Sequence, residues 1–186
     1  MTAPEKSLAS GLALATIPES VDLAVEVSGL SRPLVQTLRK TICAKFTEDQ
    51  TLLFLAICAQ KKVDPFTQAY GFPNSDGGLA FGLRIDGMRA LAMRTGQYLS
   101  RTVETLLVPE GDHKGELLGA RCTVSRQGMT APVVEEAYMA EYACGNRGWV
   151  QYPETMIRKV AESKALRAAF PDALSGVYEP AEVERS

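Results

Sequence analysis

The sequence predicts an α+β domain, a small antiparallel sheet with packed helices. Three observations carry this expectation. Apolar residues recur at helical spacing in several separate segments, while β-forming runs are broken by clusters of turn residues. The order helix–helix–hairpin–helix–three strands–helix also lacks the strand–helix alternation that builds a parallel sheet. With 186 residues, 46% hydrophobic and 23% charged, the chain can form one compact globular core with short tails.

Residues 1–18 are small and polar and read as a mobile tail, part of an acidic N-terminal stretch taken as 1–30. From Arg32 to Ala44, Leu34, Val35, Leu38 and Ile42 keep helical spacing, and Pro33 fits the first turn. Thr47 and Gln50 form a capping box, after which Leu52, Leu53, Leu55, Ala56 and Ala59 are the expected buried face of a second helix. Asp64, placed before Pro65 in VDPF, stops it. QAYGF and LAFGLR flank PNSDGG, a hairpin signature. In IDGMRALAMRTG, Ile85, Met88, Leu91 and Ala92 form a helical stripe, and Gly96 suits a left-handed C-cap. Three strands follow in YLSRTVETLLV, LLGARCTVSR and APVVEEAYM, and ETMIRKVAESKALRAAF is a helix closed by Pro171. The core is assigned to 31–178 and a short acidic C-terminal tail to 179–186.

Several function classes find no support. No apolar run approaches the roughly 18 residues of a membrane span. Glu5 sits where a signal peptide would be basic. Cys43, Cys58, Cys122 and Cys144 show no metal-ligand spacing and read as reduced thiols. There is no phosphate-cradling GxxxxGK[ST] loop, so no ATP-driven step is expected. His113, the single histidine, lies in the Gly- and charge-rich loop PEGDHKGE, a poor setting for a catalytic triad. Glu135, Glu136 and Glu141 could gather a metal, but neighbours Glu135 and Glu136 point to opposite faces of a strand. Enzymatic activity is not expected.

The net charge of −2 hides a layout. Residues 1–30 and 170–186 each carry −3, and the body between them +4. Within the body, 84–101 (Arg84, Arg89, Arg94, Arg101) and 147–167 (Arg147, Arg158, Lys159, Lys164, Arg167) are each +3. This is either a solvated mixed-charge surface or a footprint for a polyanion. On a helical wheel, Met156, Arg167, Val160, Lys164, Ile157, Ala168 and Ala161 share one sector of the last helix. Lys164 and Arg167 therefore either pair with the protein's own acids or floor a groove in which phosphates supply the counter-charge. Trp149, beside Arg147, is a core anchor or a stacking surface for bases.

Taken in order, VDPF, the aromatic hairpin AYGFP, the IDGMRALA helix, the spacing of Trp149, Pro153, Met156 and Arg158, and the ending ALRAAFPDALSGVY are similar to the RecT/Bet family of phage single-strand annealing proteins. The resemblance covers roughly residues 30–183 and implies a RecT/Red beta-like annealing-protein core. It implies binding of single-stranded DNA and annealing of complementary strands in recombination without ATP, with magnesium at most a stimulating ion. It further implies a homo-oligomer (a ring or helical filament) holding single strands and annealed duplex, a phage-type 5′-to-3′ exonuclease as partner, no membrane, and the cytoplasm of a bacterial host as the setting for a phage or prophage protein. No C-terminal partner-docking module is expected. Arg158 and Arg167 match basic positions of the family's DNA groove, and Lys159 and Lys164 join them by proximity. Gln68, Ala69 and Glu154 stand where relatives are basic, so Arg84, Arg94, Arg101 and Arg126 are the expected compensating charges. A strand-protecting protein that does not anneal, and more remotely a metal-dependent nuclease, are the alternatives.

Overall fold

The computed structural model describes residues 20–74 and 77–183. The expected tail 1–18 and part of the hairpin turn lie outside the described residues. Nine helices and five strands run in the order α1 (Ser20–Ser28), α2 (Arg32–Lys40), α3 (Glu48–Lys61), β1 (Ala69–Pro73), β2 (Leu79–Leu83), α4 (Ile85–Arg94), β3 (Tyr98–Leu107), β4 (Leu117–Arg126), β5 (Val133–Tyr138), α5 (Met139–Tyr142), α6 (Arg147–Gln151), α7 (Pro153–Ala169), α8 (Pro171–Leu174) and α9 (Pro180–Val183) among the described residues. The architecture is the α+β one expected, with one refinement. The β1–β2 hairpin forms its own two-stranded antiparallel sheet, separate from the three-stranded antiparallel sheet β3–β4–β5.

The capping box behaves as its spacing demands. The Gln50 N–H donates to Thr47 Oγ1 at 3.2 Å and the Thr47 N–H donates to Gln50 Oε1 at 2.9 Å. The Gln50 amide also donates to the carbonyls of Gly77 and Gly78, both at 3.0 Å, tying the start of α3 to the hairpin. The buried side of α3 differs from the expected one. Of the expected residues Leu55 is buried, but Leu53 and Ala59 are exposed, and Thr51, Phe54 and Cys58 complete the buried side. In α2, Val35 and Leu38 are buried but Leu34 is exposed, and the helix ends at Lys40 rather than near Ala44. Residues 20–28, assigned by sequence to the tail, form α1, which packs on α2 and α3 and buries Ala24. Helix α4 matches its reading: Ile85, Met88, Leu91 and Ala92 are buried, and Gly96 takes φ +70°, which lets the chain leave the helix at no steric cost.

Helix α7 is the axis of the molecule. It lies on β3, β4 and β5 and is also packed by α4, α6, α8 and α9. It is buried around most of its circumference, through Ile157, Val160, Ala161, Glu162, Ser163, Ala165, Leu166 and Ala169. The wheel sector is therefore too narrow, and Ala168, placed inside it, is exposed. The acidic C-terminal stretch is also part of the core: Phe170, Leu174, Val177 and Ala181 are buried, and so is Glu179. Buried residues accordingly continue past 178, through Glu179 and Ala181. Cys43, Cys58 and Cys122 are buried thiols, each pushed up to about 12 chiefly by loss of solvent.

Candidate nucleic-acid interface

The cations of α4, β3 and α7 converge because α4 and β3, an edge strand of its sheet, both pack on α7. Alternation along β3 points Arg101, Val103 and Thr105 to the α7 side. Between these elements runs an open cleft of about 330 Å³, lined by Asp86, Arg89, Arg101, Arg158, Lys159 and Glu162 among others. A second hollow of about 290 Å³ shares Ile85, Asp86 and Lys159 with it and continues past Arg84 to Glu179. Together their walls present five cations and three acids, a net of +2.

The acids do not cancel this field uniformly, because the central one is enclosed. Glu162 is only 3% exposed. Its Oε1 accepts from Arg89 Nε at 2.6 Å and forms an ion pair with Arg101 Nε at 2.9 Å, and its Oε2 accepts from Arg89 Nη2 at 2.7 Å. Arg89 donates in addition to Asp86 at 2.7 Å. The hydrogen bonds to Glu162 raise the Arg89 guanidinium above its ordinary value, against the opposing pull of burial, so it stays charged at any working pH. One buried carboxylate thus holds two arginines from different elements side by side, which their mutual repulsion would otherwise oppose. Arg158 donates to Thr105 Oγ1 at 2.9 Å, and the Thr105 hydroxyl donates to Glu154 at 2.6 Å. Glu154 is thus tied to β3 through Thr105 and forms a long i,i+4 ion pair of 3.9 Å with Arg158. Lys159 and Arg84 have no side-chain hydrogen bond or ion pair among the described residues.

The other expected site residues lie apart from this cleft. Arg167 forms a fork with Glu182, two bonds of 2.6 Å, donates to Ser163 at 2.7 Å and covers the Tyr178 ring at 5.0 Å. Burial pulls its guanidinium down, but the bonds and charge of Glu182 more than reverse this. Lys164 donates to the Glu136 carbonyl at 2.5 Å and lies 3.5 Å from Glu135. Glu136 itself points to the opposite sheet face, where it pairs with Arg121. Arg94 donates to the carbonyls of Lys61 and Lys62, closing the C-terminus of α3. Arg126 donates to the Ala169 carbonyl at 2.6 Å and lies over Phe170, closing the C-terminus of α7. Arg147 is exposed beside Gln151, and Trp149 is buried at 3% exposure. Of the ten expected residues, the cleft gathers Arg84, Arg101, Arg158 and Lys159. Arg89, Thr105 and Glu162 were not among them. The local signs of Arg89 and Glu162, Asp86–Arg89 at i,i+3 and Arg158–Glu162 at i,i+4, read as ordinary helix-surface pairs, and Thr105 carries no local sign.

The α+β core thus carries an open, cation-lined cleft beside an edge strand of its larger sheet. The RecT family model matches residues 28–186, and the chain belongs to the RecT family. No curated protein matches it. Membership carries the coarse function with it, single-strand annealing in phage-type recombination. No helix among the described residues is long and apolar enough to cross a membrane.

Proposed function

We propose that the chain anneals complementary DNA strands without ATP, and that the α4–β3–α7 cleft holds the sugar-phosphate backbone. The observation that supports this best is the pair of arginines locked by a buried carboxylate, flanked in the same cleft by Arg158, Lys159 and Arg84. Such an arrangement offers fixed donors to phosphates while its own acid is hidden from them. Two complementary strands repel through their phosphates, and a basic cleft relieves that repulsion and releases counterions. Pairing supplies the drive, about 1.4 kcal/mol per stacked step, so nucleotide hydrolysis is unnecessary. A single small domain covers few nucleotides, so repeated head-to-tail copies, closed as a ring or open as a helical filament, extend the track. Single strands would come from a phage-type 5′-to-3′ exonuclease in the cytoplasm of a bacterial host.

Labelled complementary oligonucleotides mixed with the protein, with no nucleotide present, should become duplex far faster than protein-free strands. Magnesium should change the rate without being required. Coating of the strands with no acceleration would instead identify a strand-protecting protein, and cleavage in magnesium or manganese a nuclease; either outcome contradicts the proposal.

A further inference from the structure

We propose that Tyr178, the residue before Glu179 of the second hollow, is a stacking platform for an unpaired nucleobase. This rests on the nucleic-acid reading above and adds a contact of a different kind. Tyr178 is 48% exposed, yet its backbone is pinned from several sides. It forms a parallel bridge with Gly82, and its carbonyl accepts from the Leu83 N–H at 2.9 Å and the Tyr70 hydroxyl at 2.8 Å. The Tyr70 seat requires glycine at 82, where a Cβ would stand 2.1 Å from the Tyr70 ring. The Arg167 guanidinium, 5.0 Å from the Tyr178 ring centroid, supports the ring from one face. An aromatic ring fixed in this way while half exposed has already lost the conformational freedom that binding a base would otherwise cost.

Its surroundings suit a nucleotide. Leu83, hydrogen-bonded to Tyr178, is followed directly by Arg84, whose guanidinium has no side-chain partner among the described residues and lines the continuing cleft with Lys159. The neighbouring acids are occupied: Glu182 is held by Arg167, and Glu179 is buried with Oε2 accepting from the Ala181 N–H at 2.6 Å. A base lying on the Tyr178 ring would leave its Watson–Crick edge free, which annealing requires. Stacking is also indifferent to base identity.

The test uses the full chain, a labelled single-stranded oligonucleotide, and the same oligonucleotide carrying a fluorescent adenine analogue that is quenched on stacking. Tyr178→Leu, which keeps an apolar side chain on Arg167 but has no ring, should bind roughly 5- to 150-fold more weakly, lose the quenching and keep the wild-type salt slope. Tyr178→Phe should behave as wild type. Arg84→Ala should do the converse, keeping the quenching while its slope of log K against log salt flattens by roughly 0.7. Wild-type affinity and quenching in Tyr178→Leu would overturn the platform and leave the cleft intact. A wild-type chain with no salt-dependent binding would overturn the nucleic-acid reading itself, and the platform with it.

Discussion

Replacing Glu162 with glutamine should destabilise the protein by about 3–5 kcal/mol and weaken DNA binding, although the change removes a negative charge from the cleft. Simple charge counting predicts the reverse for DNA, so the sign of the effect is informative. In the wild type both carboxylate oxygens accept from Arg89, and Oε1 also pairs with the Arg101 charge. Glutamine keeps one acceptor and turns a donor NH₂ group toward a guanidinium, leaving Arg101 without its carboxylate and Arg89 with only the exposed Asp86, around a site that is 3% exposed. The guanidinia should then separate, and phosphate contacts that need both in place are lost. Urea unfolding reads the stability, and titration of a labelled oligonucleotide at several salt concentrations reads the binding. The loss in Glu162→Gln and the loss in Arg89→Ala should not add in the double variant, because both remove the same interaction.

Arg167→Ala should be as costly, about 3–5 kcal/mol, for a related reason at the other end of the helix. The fork to Glu182 is set in a segment where the Glu182 side chain is 6% exposed and where Glu182 also accepts from the Glu179 N–H at 3.0 Å and from the Ser163 hydroxyl. Removing the guanidinium leaves a buried carboxylate unpaired and frees the α9 segment from α7. Arg167→Lys should recover only part of the loss, since an ammonium cannot reproduce two parallel bonds. The salt slope of DNA binding, measured below the unfolding transition, should stay at the wild-type value in Arg167→Ala and fall in Arg158→Ala. A flattened slope in the former would place Arg167 on the phosphates.

The local elements were legible where one physical cause dominated. A capping box, a turn cluster between β-forming runs, and a glycine after an amphipathic stripe each specify backbone geometry within a few residues, and all three stand where expected. The face of α3 was not legible. LLFLAIC is apolar all round, so periodicity cannot choose Phe54 and Cys58 over Leu53. Helix α7 misled for the opposite reason: packed by the sheet on one side and by helices on others, it has no single buried stripe. The cleft depends on contacts far apart in sequence. Arg89 and Glu162 are 73 residues apart, and no spacing rule connects them. Charge counting found the two basic segments but could not say which of their residues serve as helix closures, as Arg94 does, and which face solvent.

The most direct test of the cleft is the salt dependence of single-strand affinity in Arg158→Ala/Lys159→Ala, set against Arg94→Ala/Arg126→Ala. Both pairs remove two positive charges from the chain, but only the first removes them from the α4–β3–α7 cleft. The expected result is a slope flattened by roughly 1.4 in the first pair and unchanged in the second. Equal slopes in the two pairs, or a loss confined to the second, would contradict the assignment of this cleft to DNA.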